Sequence, residues 1–134
     1  MTDVPRRAVL LDTHVLYWSA LEPERLSSNA ASSLAGAAEL VVAAVSWWEL
    51  AWLIRRHRLD VRMPLRAWLQ ELAREVRTAA LTPVVAATAA ELPRTFPQDP
   101  ADRLIYATAV ESGLPLVSAD RAIRAHDPEG RVVW

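Results

Sequence analysis

Short apolar runs alternate with longer amphipathic stretches along this chain. The runs AVLLD (8–12), LVVAAV (40–45), AALT (79–82), PLVS (115–118) and RVVW (131–134) show little polar alternation, the pattern of strands buried on both faces. Helical spacing fills the intervals at 13–20, 27–37, 46–58, 84–92 and 100–112. A further helix follows Pro64 in PLRAWLQELAREVR, where Leu65, Trp68, Leu69, Leu72 and Val76 form one apolar stripe. Strands separated by helices require right-handed crossovers, so the expected architecture is a three-layer α/β domain around a mostly parallel sheet. With 134 residues, 52% of them hydrophobic, and no repeat or linker-like segment, residues 1–134 are expected to form a single domain.

In a parallel sheet the strand C-termini share one edge, and ligands bind in the crevice outside it. Acids recur at that position. Asp12 ends the first strand in LLDTHV, Glu49 follows the second in AVSWWEL, and Asp120 follows the fourth in PLVSADRA. Asp99 and Asp102 open the helix in FPQDPADRLIYATAV. Each has an ordinary explanation. Asp99 before Pro100 reads as an N-cap, Asp102 as a first-turn acid, Ser46 to Glu49 as an S-x-x-E capping box, Asp120 as an N-cap, and Asp12 as a strand-end acceptor. Their conjunction is harder to explain that way. Two carboxylates ~5 Å apart at an effective dielectric of ~20 repel by roughly 3 kcal/mol, whereas a cap contributes about 1 kcal/mol. Converging acids are therefore protonated or share a divalent cation, and an oxygen-only set suits Mg²⁺ or Mn²⁺ with positions left for phosphate. Such a site would hydrolyse phosphodiesters.

Composition removes several competitors. The chain has no cysteine, which excludes disulfides, thiolate catalysis and cysteine-bound zinc. All 15 basic residues are arginine, so a P-loop lysine, a Schiff base and the lysine of a phosphoacceptor receiver domain are excluded. A haloacid-dehalogenase-type phosphatase needs a second aspartate two residues after the first, and position 14 is His. The formal net charge of -1 argues against a uniformly basic surface held to duplex phosphates. No apolar segment is long enough to cross a bilayer and the N-terminus has no signal-like run, so a soluble cytoplasmic protein is expected.

Four motifs in order, LLDTHVLYW, AVSWWELAWL, DPADRLIYATA and PLVSADRAI, with the closing VVW, resemble the PIN-domain ribonucleases. The resemblance is specifically to the VapC-type toxins of toxin–antitoxin pairs and covers nearly the whole chain. It implies a central parallel sheet of order 3-2-1-4-5, an acidic Mg²⁺ or Mn²⁺ site, cleavage of RNA by a metal-activated water, homodimerisation and inhibition by a small antitoxin. Carried over by position, it makes Asp12, Glu49, Asp102 and Asp120 the catalytic acids. Asp12, Asp102 and Asp120 are the expected metal holders, and the longer Glu49 is expected to act through water. Asp99 is an accessory acid that either contacts the metal from outside the ligand set or only caps the helix, the cap being favoured. Thr13, Ser46 and Ser118 either orient a water or a carboxylate, or simply cap helices. The alternative is a non-catalytic PIN-like module that binds RNA or protein, which would keep the fold and lose the acids.

Arg55, Arg56, Arg58, Arg103, Arg121 and Arg124 either contact RNA phosphates or are helix-end and solvated charges. His14, His57 and His126 are given no catalytic part, and His14 is expected to point away from the acids. Adjacent Trp47 and Trp48 cannot both enter one core, while Trp48 and Trp52 share a helix face at i, i+4. The helix carrying these three tryptophans is the expected groove wall for an antitoxin.

Overall fold

The structure, a computed structural model, describes residues 7–134. Strands β1 (Ala8–Leu11), β2 (Glu39–Ala43), β3 (Arg77–Ala79), β4 (Leu116–Val117) and β5 (Val132–Val133) pair in parallel in the order β3-β2-β1-β4-β5. This is the expected sheet. The helices are α1 (Thr13–Leu21), α2 (Ser28–Gly36), α3 (Ala44–Arg55), α4 (Leu65–Ala73), α5 (Pro83–Glu91), α6 (Pro100–Ser112) and α7 (Arg121–Ala125), with a 3₁₀ turn at Pro23–Arg25.

Side chains alternate along each strand, so both sheet faces need cover. Val9 and Leu11 pack on one face with Val15, Leu16, Leu50 and Trp68 from α1, α3 and α4. Leu10 faces the other way, into Phe96, Ile105, Tyr106, Ala109 and Ile123. Leu10, Leu11, Val41, Val42, Leu116 and Val117 are fully buried, as uninterrupted apolar runs require. Truncating Leu10 or Leu11 to Ala is expected to cost on the order of 2–5 kcal/mol. Among the described residues no helix is long and apolar enough to cross a membrane.

Three elements depart from the sequence expectation. β3 is an edge strand at Arg77–Ala79 rather than a buried run at 79–82, and Arg77 and Thr78 are exposed. Its polar character is that of an edge: Arg77 Nε donates to Glu39 Oε1 of β2 at 2.9 Å. Thr82 instead caps α5, its hydroxyl accepting the Val85 N–H at 3.2 Å. The stripe helix after Pro64 stops at Ala73, although Val76 still packs on the core. α3 starts at Ala44, before Ser46, and that shift matters for the site.

Candidate active site

Asp12 leaves β1 and caps α1. Its Oδ1 accepts the Thr13 N–H at 2.8 Å, its Oδ2 accepts the Ser118 hydroxyl at 2.7 Å, and the residue is only 4% exposed. Ser118 lies just past β4 and its Oγ also accepts the Asp120 N–H at 3.1 Å. Asp120 in turn caps α7, taking the Ile123 N–H on Oδ1 at 3.0 Å. The ends of the two neighbouring central strands are thus tied together through one serine.

Glu49 arrives from α3. Because that helix begins at Ala44, Ser46 is inside its first turn and buried, so the S-x-x-E capping box does not form. The Thr13 hydroxyl lies 2.9 Å from Ser46 Oγ and 2.5 Å from Glu49 Oε1. With one hydroxyl proton and a carboxylate as the better acceptor, Thr13 serves Glu49 and can accept from Ser46. The hydroxyls of Thr13 and Ser118 therefore bond site carboxylates directly, and that of Ser46 reaches Glu49 only through Thr13.

Asp102 comes from the first turn of α6. Asp99 occupies the cap there, its Oδ1 accepting the Asp102 N–H at 3.1 Å, and it is exposed. Asp12, Glu49, Asp102 and Asp120 line one open pocket of about 170 Å³ with Thr13, His14, Tyr17 and Leu53. Asp99 faces the adjacent groove instead.

The electrostatics follow from this crowding. Burial pushes the Asp102 carboxyl up to about 7, and the charges of Asp12, Asp99, Asp120 and Glu49 add to the shift. Burial also raises Glu49, opposed by the Thr13 hydroxyl and reinforced by Asp12 and Asp99. Among the described residues, no arginine forms an ion pair with any of the four pocket acids. The pocket thus offers oxygen donors and lacks positive charge, which fits a hard divalent cation. As they stand, no three of the described acidic or histidine side chains are arranged to hold a metal ion.

Two sequence expectations are corrected here. His14 does not point away: it lines the acidic pocket, with Nε2 accepting the Ala119 N–H at 2.9 Å and Nδ1 lying 3.7 Å from Asp12 Oδ2. Burial holds its pKa below the usual value, with Asp12 and Asp120 opposing. Arg103 is neither a helix-end charge nor a freely solvated one. Its guanidinium donates to the carbonyls of Ala89, Leu92, Pro93, Phe96 and Pro97 at 2.7–3.4 Å, clamping the segment that leads into α6. Arg55, Arg56, Arg58, Arg121 and Arg124 are exposed, as are His57 and His126.

Two apolar grooves flank the pocket. One, about 550 Å³, runs from Tyr17, Leu21 and Trp68 to Leu59, Val61 and Met63, with Arg58 among its lining residues. The other, about 360 Å³, lies between α3 and α6 and is walled by Trp48, Trp52, Leu53 and Leu104. Trp48 and Trp52 are 63% and 46% exposed and stack at 5.5 Å, so they form a surface rather than core. Trp47 is not part of that surface: it packs on the core and donates Nε1 to Thr78 Oγ1 at 2.9 Å.

Four acids from separate segments, gathered at the C-terminal edge of a parallel sheet of this order, define a class. The PIN domain family model matches residues 9–127, and the chain belongs to the PIN-domain family, within it to the VapC group. It is 55% identical over 127 residues to Ribonuclease VapC22 of Mycobacterium tuberculosis (strain ATCC 25618 / H37Rv), covering 94% of this chain and 98% of the relative. VapBC-1 from nontypeable Haemophilus influenzae superposes with a TM-score of 0.71 at 13% identity, covering 93% of this chain and 96% of that one. A toxin–antitoxin complex from Klebsiella pneumoniae superposes at 0.70 with 15% identity, covering 94% and 96%. These two likenesses bear on the fold.

Proposed function

We propose that this protein is a divalent-metal-dependent endoribonuclease, the toxin of a toxin–antitoxin pair. The observation that carries this reading is the convergence of Asp12, Glu49, Asp102 and Asp120 on one pocket that lacks a countercharge. The 55% identity to a named ribonuclease supports RNA as the substrate, and PIN-domain ribonucleases generally use a divalent metal. Asp12, Asp102 and Asp120 would hold Mg²⁺ or Mn²⁺, and Glu49 would act through water.

A bound divalent cation supplies Lewis-acid stabilisation of the scissile phosphate and acidifies an attacking water. The chain does the rest. Asp12 is held by Ser118 and Thr13, which fixes its direction before substrate arrives. Glu49, raised by burial and oriented by Thr13, is suited to accept the proton of the attacking water. Arg55, Arg56, Arg58, Arg121 and Arg124 are exposed and available to RNA phosphates.

The two grooves suit two different partners. The larger one is concave, apolar and continuous with the acidic pocket through Tyr17, so an extended antitoxin segment lying in it can direct a basic side chain at the carboxylates. The exposed Trp48–Trp52 face suits self-association into a homodimer. The α1 side is therefore proposed for the antitoxin in place of the tryptophan helix, whose groove also reaches the pocket through Glu49 and Leu53.

The test is cleavage of single-stranded RNA by purified protein. Activity is expected with Mg²⁺ or Mn²⁺ and none in excess chelator. Stable RNA binding without cleavage under all metal conditions would favour the non-catalytic module.

A further inference from the structure

The turn 118–120 joins two of the site's acids, because Ser118 bonds Asp12 and Asp120 follows two residues on. Its three backbone N–H groups each have a partner. That of Ser118 donates to the Val133 carbonyl at 3.1 Å and that of Asp120 to Ser118 Oγ at 3.1 Å, both supplied by the sheet or by the turn itself. The N–H of Ala119 is different. Its acceptor is the Nε2 of His14 on α1, 105 positions away, at 2.9 Å. Trp18 meets the imidazole edge-on at 4.8 Å, and the Arg25 guanidinium lies 4.3 Å over the Trp18 ring. The ring is thus packed in one orientation.

We propose that His14 is a positioning residue for the acidic site, holding the 118–120 turn, and with it Asp120, in register with Asp12. Accepting an N–H at Nε2 leaves the proton of the neutral ring on Nδ1, which faces Asp12 Oδ2 across 3.7 Å. With its Nε2 lone pair engaged, the ring cannot ligate a cation through that nitrogen while the turn is in place. Its role is geometric. Removing the acceptor would orphan a part-buried N–H, and the turn would have to shift to satisfy it. A shift there changes the separation of Asp120 from Asp12, which share the cation under the proposed function on which this inference rests. Outer-shell partners of this kind are commonly worth 10–100-fold in metal affinity.

The test compares His14→Ala, His14→Gln and His14→Asn. A glutamine oxygen reaches roughly the place of Nε2 and an asparagine oxygen that of Nδ1, so only the first restores the acceptor. Two quantities are read in each variant: the exchange rate of the Ala119 amide in metal-free protein by NMR, and Mn²⁺ affinity by calorimetry. The expected result is fast Ala119 exchange and about tenfold weaker Mn²⁺ binding in His14→Ala, largely repaired in Gln and not in Asn. KM for RNA at saturating metal should stay near wild type. Unchanged Mn²⁺ affinity in His14→Ala, or a Gln variant no better than Asn, overturns the proposal. If His14→Ala does not fold, the Gln and Asn pair decides by the same measure. Absence of any Mn²⁺ binding by wild type would contradict the metal reading of the site; fast Ala119 exchange in wild type would contradict the role of His14.

Discussion

The backbone N–H of Asp102 donates to the side chain of Asp99 at 3.1 Å, so the two aspartates of the α6 start have divided two tasks. Asp99 caps the helix and is exposed, while Asp102 lines the acidic pocket with its carboxyl pushed up to about 7. Asp102→Asn should therefore abolish RNA cleavage yet raise metal-free stability by about 1–3 kcal/mol at about pH 8, by removing a charge from a self-repelling set. Asp99→Asn should keep appreciable activity, because Asn caps helices as well as Asp. Cleavage rates and denaturation midpoints of the two variants check this, and a reversed ranking would move the ligand role to Asp99.

The raised Asp102 carboxyl also sets a pH dependence. A group whose folded pKa exceeds its unfolded value of 3.8 binds its proton more tightly when folded. Its contribution to stability is full below the unfolded value and is lost as pH rises towards about 7. Glu49 acts in the same direction. Asp127 acts in the opposite one: despite burial, its bonds from Tyr106 and from the Arg131 and Val132 N–H groups lower its pKa, so its contribution is lost in acid. In chelator, the stability gap between Asp102→Asn and wild type should widen from about pH 5 to about pH 8 and close when Mg²⁺ or Mn²⁺ is added. A gap independent of pH contradicts the electrostatic origin.

Arg103 should behave as a fold residue. Its five carbonyl acceptors span the end of α5 and the segment before α6, and the single ammonium of a lysine cannot serve them all. Arg103→Lys and Arg103→Ala should each lower stability by about 2–4 kcal/mol and leave the salt dependence of RNA binding unaltered. Arg58→Ala should do the reverse, keeping stability and flattening the salt slope. Urea denaturation and RNA titrations at several salt concentrations separate the two.

The partner surfaces can be separated in the same way. Leu59→Asp or Met63→Asp should weaken antitoxin binding at least tenfold and leave self-association intact, whereas Trp48→Ala with Trp52→Ala should shift a dimer towards monomer and spare the antitoxin. Light scattering and calorimetry give both readouts. Loss of antitoxin binding only in the tryptophan variant would return the antitoxin to the α3 face.

Much of the fold is legible because the central strands are uninterrupted apolar runs, and the sheet order came with the family resemblance. β3 was placed late because an edge strand carries Arg77 and Thr78, and periodicity registers burial rather than pairing. The acids were legible from topology, since Asp12 and Asp120 follow strands β1 and β4 that pair directly. Ser46 was ambiguous, because a helix beginning at Ala44 encloses Ser46 in its first turn, whereas one beginning just after Ser46 would leave its hydroxyl free to cap. His14 and Arg103 were misread for one reason. Each bonds to backbone groups, the Ala119 N–H and five carbonyls, and such partners leave no residue-type signal in the chain.

The most direct measurement is the chemistry of the cut ends. RNA incubated with the purified protein and Mg²⁺ or Mn²⁺ should yield 5′-phosphate and 3′-hydroxyl termini by mass spectrometry, because water rather than the ribose 2′-hydroxyl attacks. Neither product should form in chelator or with Asp102→Asn. Cyclic 2′,3′-phosphate ends, or undiminished cleavage in chelator, would contradict the account.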